Sequence, residues 1–229
     1  MMIDFALLSA LVVPLLRGCL FSVIFTGAVC LMGGTLAILL AYLSHCGKIV
    51  LTAAIDTVSL ILRGFPLLVL IYFIYYGIGS IPAVRESLFW PAFSSALFCV
   101  LLAFTINHAV FVLQIIVGGL RNLPRGISEA SMALGMTRQV AFLTVELPLA
   151  FRLALPAYRN ELIMCFKTSS LVSIVTLTDL MSVAKASVDQ YFDPVTPFVG
   201  AAVCYWLIAQ ILHLVFDRLD RVLSLARSG

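Results

Sequence analysis

The sequence predicts an all-α integral membrane protein that crosses the bilayer five times. Two observations lead there. The chain of 229 residues is 62% apolar and only 11% charged, with a mean hydropathy of +1.13. An ordinary soluble domain carries about 45–50% apolar and about 25% charged residues. A globule in water must cover itself with polar side chains, and this composition leaves too few. The apolar residues are also gathered into runs long enough to span. A hydrocarbon core about 30 Å thick and a rise of about 1.5 Å per residue require about 20 residues. A soluble enzyme and a disordered chain are excluded. The formal charge of +3 is too small to hold a nucleic acid by its phosphates.

Taken in order, residues 18–43 carry no charge and make the clearest span. Residues 53–78 make a second, with Asp56 and Arg63 in its first half. Residues 89–117 are an uncharged third, 160–180 a fourth interrupted by Lys167, and 198–216 an uncharged fifth. The whole chain, 1–229, reads as one membrane domain. The start Met1-Met2-Ile3-Asp4-Phe5 has no basic segment, so a cleaved signal peptide is not expected. Small residues in the first span (Gly27, Ala28, Gly33, Gly34) permit close approach of another helix.

Orientation follows from the cations. The loops after spans one, three and five hold nine (Lys48; Arg121, Arg125, Arg138, Arg152 and Arg159; Arg218, Arg221 and Arg227). The opposite side holds Arg17, Arg85 and Lys185. The positive-inside rule then puts the N-terminus outside and the C-terminus in the cytoplasm. The six cysteines stand singly in apolar stretches, and the three histidines lack metal-ligand spacing. No metal and no cofactor are expected.

The segment 120–156 between spans three and four is polar and structured. Glu129 to Leu134 are good helix formers, with Ile127, Ala130 and Leu134 on one face. Gly135 suits a left-handed helix end. Thr137 can cap a second short helix, which Pro148 should stop near Leu147. A compact helix–turn–helix at the membrane surface is the expected result.

At these residues the chain resembles the permease subunits of bacterial ABC importers. Their pattern E-A-A-x3-G-x9-I-x-L-P is matched by Glu129, Ala130, Ser131, Gly135, Val145, Leu147 and Pro148. The resemblance implies the transmembrane domain of a type I ABC importer, covering residues 16–219. It implies that the loop docks as a coupling helix on a cytoplasmic ATPase, with Glu129, Ala130, Ser131 and Gly135 as the coupling residues. The chain has no G-x-x-x-x-G-K-[ST] phosphate loop of its own. It is therefore expected to be a transport subunit without catalytic residues, energised by a separate partner.

Two further stretches resemble the polar amino acid and opine branch of that family. Arg63-Gly64-Phe65-Pro66-Leu67-Leu68-Val69 is similar to R-G-T-P-L-L-V-Q, with Phe65 in place of Thr. Gly64 and Pro66 interrupt a membrane helix, and broken helices line transport sites; Arg63 equally fits a side chain snorkelling to the interface. Asn160-Glu161 and Lys167 to Ser173 are similar to N-E…K-S/D-T-S-L-V-S. A charge at the bilayer centre costs roughly 2.5–3.5 kcal/mol, so Lys167 should face the protein interior and find a partner. Its role is either to balance charge along a solute path or to hold a structural ion pair. In the third span Asn107 and Gln114 share a face. Gln114 stands where the family commonly has Glu, and Val117 where it has Arg, so the charge pattern departs from the usual one.

The expected solute path thus comprises Arg63, Asn107, Gln114, Asn160, Glu161, Lys167 and Ser169. The resemblance implies a bacterial inner-membrane importer of a polar amino acid, of the basic class, or an opine. Its partners would be a second permease in a homo- or heterodimer, two ATPase subunits, an extracytoplasmic solute-binding protein and membrane lipid. The competing reading is an ion-gradient-driven secondary transporter or channel, which would use Lys167 and Asp179 as intramembrane ionisable groups. A membrane enzyme finds no support, since neither H-E-x-x-H nor G-x-S-x-G is present.

Overall fold

The computed structural model describes residues 4–225. The architecture is built on one long helix. α1 (Phe5–Cys46) begins where Asp4 caps it, its carboxylate accepting hydrogen bonds from Ala6 N at 2.9 Å and Leu7 N at 3.0 Å. It starts well before the expected boundary at residue 18. Arg17 marked that boundary in the sequence, yet it points away from the chain and leaves the helix unbroken. At 42 residues, α1 is about 63 Å long, about twice the hydrocarbon thickness.

Three apolar clusters sit along α1. At its start Leu11, Leu15 and Cys19 pack with Leu180, Ala184 and Ala201. At its middle Phe25 and Val29 meet Ile71, Val100, Phe104 and Cys165, and the Phe25 and Phe104 rings lie edge to face at 5.1 Å. Near its end Ala37 and Ala41 meet Ile55, Val112, Ile116 and Phe142. The remaining helices are arranged around this spine. Gly33 is used inside the chain, against His108 and Thr105, whereas Gly27 and Gly34 face open space.

α2 (Ile49–Gly64) and α3 (Leu67–Tyr72, extended by a wide turn and a tight turn to Ser80) are bent by 102° at the Phe65-Pro66 break. Pro66 has no N–H to continue the ladder and drives Phe65 into extended backbone. The expected second span is thus a broken pair. Short helices α4 (Pro82–Arg85) and α5 (Trp90–Phe93) follow, and the Arg85 guanidinium lies 5.8 Å from the Trp90 ring. α6 (Ala96–Arg121) starts only at Ala96, because the chain breaks after α5 and Ser95 recaps it.

After α6 come α7 (Arg125–Ala133) and α8 (Arg138–Ala141). The second helix of the pair does not stop before Pro148. A five-residue wide turn, Phe142–Glu146, carries it into α9 (Leu147–Thr168), and residues Arg138–Ile174 form one continuous helix. Pro148 thus lies inside the continuous helix, directly after the wide turn Phe142–Glu146, the irregularity that accompanies its missing N–H. The connection proper is therefore only residues 122–137, shorter than the loop 120–156 read from the sequence.

Residues Ser169–Ile174 form a tight turn, and α10 (Leu180–Tyr191) was not anticipated. It buries Leu180, Ala184 and Ser187 on one face. Asp179, fully buried, starts it by accepting from Met181 N at 3.1 Å and Ser182 N at 2.9 Å. Asp179→Ala should lower stability by about 0.5–2 kcal/mol through loss of this cap, and Asp179→Asn should retain most of it. Thermal unfolding in detergent, with hydrogen exchange over α10, measures both. α11 (Thr196–Leu225) closes the bundle, held at its start by Asp4 N donating to Thr196 Oγ1 at 3.1 Å and lower down by the Arg159–Asp217 ion pair.

Candidate functional site: an intramembrane cavity and a surface helix pair

Two sites emerge. A cavity of about 380 Å³ opens between α6 and α9 at the Phe65-Pro66 break. Phe65, Leu67, Phe104 and Phe111 make its apolar walls; Asn107, His108, Glu161 and Thr168 supply polar groups. The break matters here: Phe65 and Leu67, on either side of Pro66, reach this wall only because the helix turns aside. His108 Nδ1 lies 3.2 Å from Glu161 Oε1. That pair fixes the imidazole and leaves the half-buried carboxylate at the cavity.

Of the seven residues expected along a solute path, the fold brings Asn107 and Glu161 to this cavity. Arg63 instead donates from Nε to the Ser59 carbonyl of its own helix at 3.3 Å. Gln114 is half-buried two turns further along α6, outside the cavity walls. Ser169 is buried and donates to Phe166 O at 2.7 Å, shaping the turn after α9. Asn160 is exposed. Lys167, expected to face the protein interior and find a partner, is exposed on α9 of the single chain and has no ion pair among the described residues. Lys167 and Glu161 are six positions apart on one helix and so point different ways. His108 and Thr168 stand in the polar stretches of their spans but were not assigned to the path, and Cys165 was read as a packing residue, because their neighbours come from other helices and no spacing along the chain announces them.

The second site is the pair α7–α8. Gly135 sits at φ +78°, the left-handed conformation anticipated for it. Thr137 Oγ1 accepts from Val140 N at 3.4 Å, capping α8. Ser131 is buried and donates to Ile127 O at 2.9 Å. Of the face read from Ile127, Ala130 and Leu134, Ala130 is exposed and Leu134 is 77% exposed; Glu129 and Met132 are exposed as well. Nearby, His45 Nε2 at the end of α1 lies 2.8 Å from Oε2 of buried Glu146, in the turn that follows α8. His45 and Glu146 also line a groove of about 410 Å³ that includes Glu129 and Arg121.

Residues 33–224 match the family described as "Binding-protein-dependent transport system inner membrane component". The chain belongs to that family. It is a multi-pass membrane protein of this inner-membrane class, with the fold of a type I ABC importer transmembrane domain. Among family members, the octopine transport system permease protein OccM of Rhizobium meliloti is 37% identical over 69% of this chain, and the match spans 64% of that protein's length. The arginine ABC transporter permease protein ArtM of Haemophilus influenzae is 31% identical over 90% of this chain and 91% of its own. The histidine/lysine/arginine/ornithine permease HisM of Salmonella typhimurium is 34% identical over 83% of this chain and 81% of its own. A crystal structure of an amino acid ABC transporter with histidines superposes with a TM-score of 0.81 at 25% identity, over 96% of this chain and 99% of that one. The inward-facing MetNI methionine transporter shares the fold, with a TM-score of 0.79 over 93% and 97% at 18% identity.

Proposed function

We propose that this chain is the permease subunit of an ATP-driven importer for a polar amino acid of the basic class, or an opine. Membership of the binding-protein-dependent family carries the reading, and the relatives' solutes, octopine, arginine and the histidine/lysine/arginine/ornithine group, give its direction. The exposed α7–α8 pair is the docking element for a cytoplasmic ATPase, with Glu129, Ala130, Ser131 and Gly135 as coupling residues. A second permease, two ATPases and a binding protein complete the assembly. The N-terminus faces out and the C-terminus lies in the cytoplasm, on the side of the nine loop cations. The permease itself performs no hydrolysis.

In the cavity, Glu161 offers a carboxylate and Asn107 an amide to a cationic, hydrogen-bonding solute. The aromatic walls exclude water and strengthen that attraction. A charge-assisted hydrogen bond contributes about 1.5–3 kcal/mol. Glu161→Gln should therefore raise the KM for a cationic amino acid roughly ten- to hundredfold and affect a neutral one far less. Uptake into proteoliposomes holding the co-expressed transporter, with ATP inside or outside, is the measurement. Equal changes for both solutes would remove Glu161 from the path. Uptake that survives ATP depletion but stops when the ion gradient collapses would overturn the importer reading.

A further inference from the structure

We propose that Cys30, His108 and Cys165 form a binding site for a thiophilic divalent cation of the zinc class on the wall of the α6–α9 cavity. The three residues come from α1, α6 and α9, and spacing along the chain kept them apart. In the fold their ligand atoms all lie within 4.8 Å of one another. Among the described residues this is the one group of three or more such side chains so gathered. The inference revises the expectation of no metal, which rested on sequence spacing alone.

His108 supplies the decisive detail. Its side chain is 1% exposed; its polar neighbours are the Glu161 carboxylate at Nδ1 and the Cys30 thiol, and Nε2 makes no well-formed hydrogen bond. A buried ring nitrogen whose neighbours are weakly hydrogen-bonding thiols is poorly satisfied, and a bound ion would satisfy it fully. The other ring nitrogen, Nδ1, lies 3.2 Å from Glu161 Oε1. A proton held there on Nδ1 leaves the Nε2 lone pair free beside two thiol sulfurs. A carboxylate on the far nitrogen of an imidazole is the arrangement that orients and strengthens a metal-ligating histidine.

The ligand chemistry selects the ion. Two thiols and an imidazole suit zinc-class ions and not magnesium or calcium, which take oxygen. Tetrahedral coordination at Zn–S of about 2.3 Å and Zn–N of about 2.0 Å places ligand atoms roughly 3.5–3.8 Å apart. Each cysteine has one side-chain torsion with which to close the remaining distance. Charge favours a dication as well. Binding releases the two thiol protons, and one M²⁺ offsets the two thiolates, so that the Glu161 carboxylate is the remaining charge at the site, held by the Nδ1 proton of His108. His108 and Cys165 line the cavity, so an ion between them borders it and keeps its fourth position open to water or to a solute donor atom.

The full-length permease, purified with its partner subunits in detergent after chelator treatment, is titrated with ZnCl₂ and, separately, with CoCl₂. Zinc should bind at one equivalent per chain. Cobalt should produce a thiolate-to-metal charge-transfer band in the near ultraviolet with strong visible ligand-field bands. Zinc should also protect Cys30 and Cys165 from maleimide, read by peptide mass spectrometry, a test on the wild-type chain that no folding defect can confuse. Cys30→Ser with Cys165→Ser should abolish the cobalt charge-transfer band, and Glu161→Gln should weaken zinc binding about 10–100-fold. Three results would overturn the site: stoichiometry unchanged in the double serine variant, a cobalt spectrum without the thiolate band, or a disulfide between the two cysteines in the native chain.

Discussion

Gly119→Val is expected to disrupt the crossing of α6 and α9. A Cβ at Gly119 would overlap the carbonyl oxygen of Ala150 and stand 3.0 Å from its carbon and 3.3 Å from its Cα. The obstacle is backbone in the first turn of α9, so no rotamer change relieves it. Shifting α9 outward would also pull Phe142 and Leu147 from the cluster they share with Ile116 and Leu120. Overpacking of this kind costs about 1–3 kcal/mol and more where backbone must move; against a total of about 5–15 kcal/mol this is a large share. Unfolding in detergent at increasing temperature should show the loss directly. Gly126→Ala, where no heavy atom lies within 4 Å of the added carbon, is the control and should change stability little. A Gly119→Val chain as stable as wild type would mean that α6 and α9 do not cross as closely as described.

Glu129→Lys should abolish transport while leaving the chain folded. Glu129 is exposed and forms no ion pair among the described residues. It stands on a short surface helix that also exposes Met132 and, at its end, Leu134, large apolar side chains that a partner would cover. Reversing a charge at the centre of a docking surface costs about 2 kcal/mol or more, at least roughly thirtyfold in occupancy. Solute-stimulated ATP hydrolysis and uptake should fall together in proteoliposomes, with unchanged thermal stability of the permease. Gly135→Val should act at the same place by another route, since a branched side chain at φ +78° costs about 1–2 kcal/mol of backbone strain and reshapes the turn that aims α8. Full coupling in both variants would remove α7–α8 from the energy path.

What the sequence discloses here is what short-range physics determines. The break at Pro66, the left-handed Gly135 and the Thr137 cap each follow from one residue's backbone chemistry, and each is where it was expected. The apolar runs mark the helices because burial in lipid requires them. The failures share a different cause. Arg17 and Lys167 were read as signals about depth or pairing, but a long side chain on an outward helix face obeys neither. Pro148 was read as a stop, but its effect depends on the wide turn ahead of it. α10 escaped notice because its buried stripe is short and mixes Ser187 with Leu180 and Ala184. In the cavity, Asn107 and Glu161 could be singled out as polar groups in apolar runs. Their companions His108, Cys30 and Cys165 are assembled by the crossing of three helices, which no single segment encodes.

If α7–α8 is the docking element proposed above, the fusion of α8 to α9 would make a lever of it. Arg138 and Glu161 lie on one continuous rod, separated by about 35 Å at a rise of about 1.5 Å per residue. Were it to move as a unit, a tilt of only about 10° at the α8 end would swing the far end by about 6 Å. A flexible hinge in place of Phe142–Glu146 would dissipate that stroke before it reached the membrane interior.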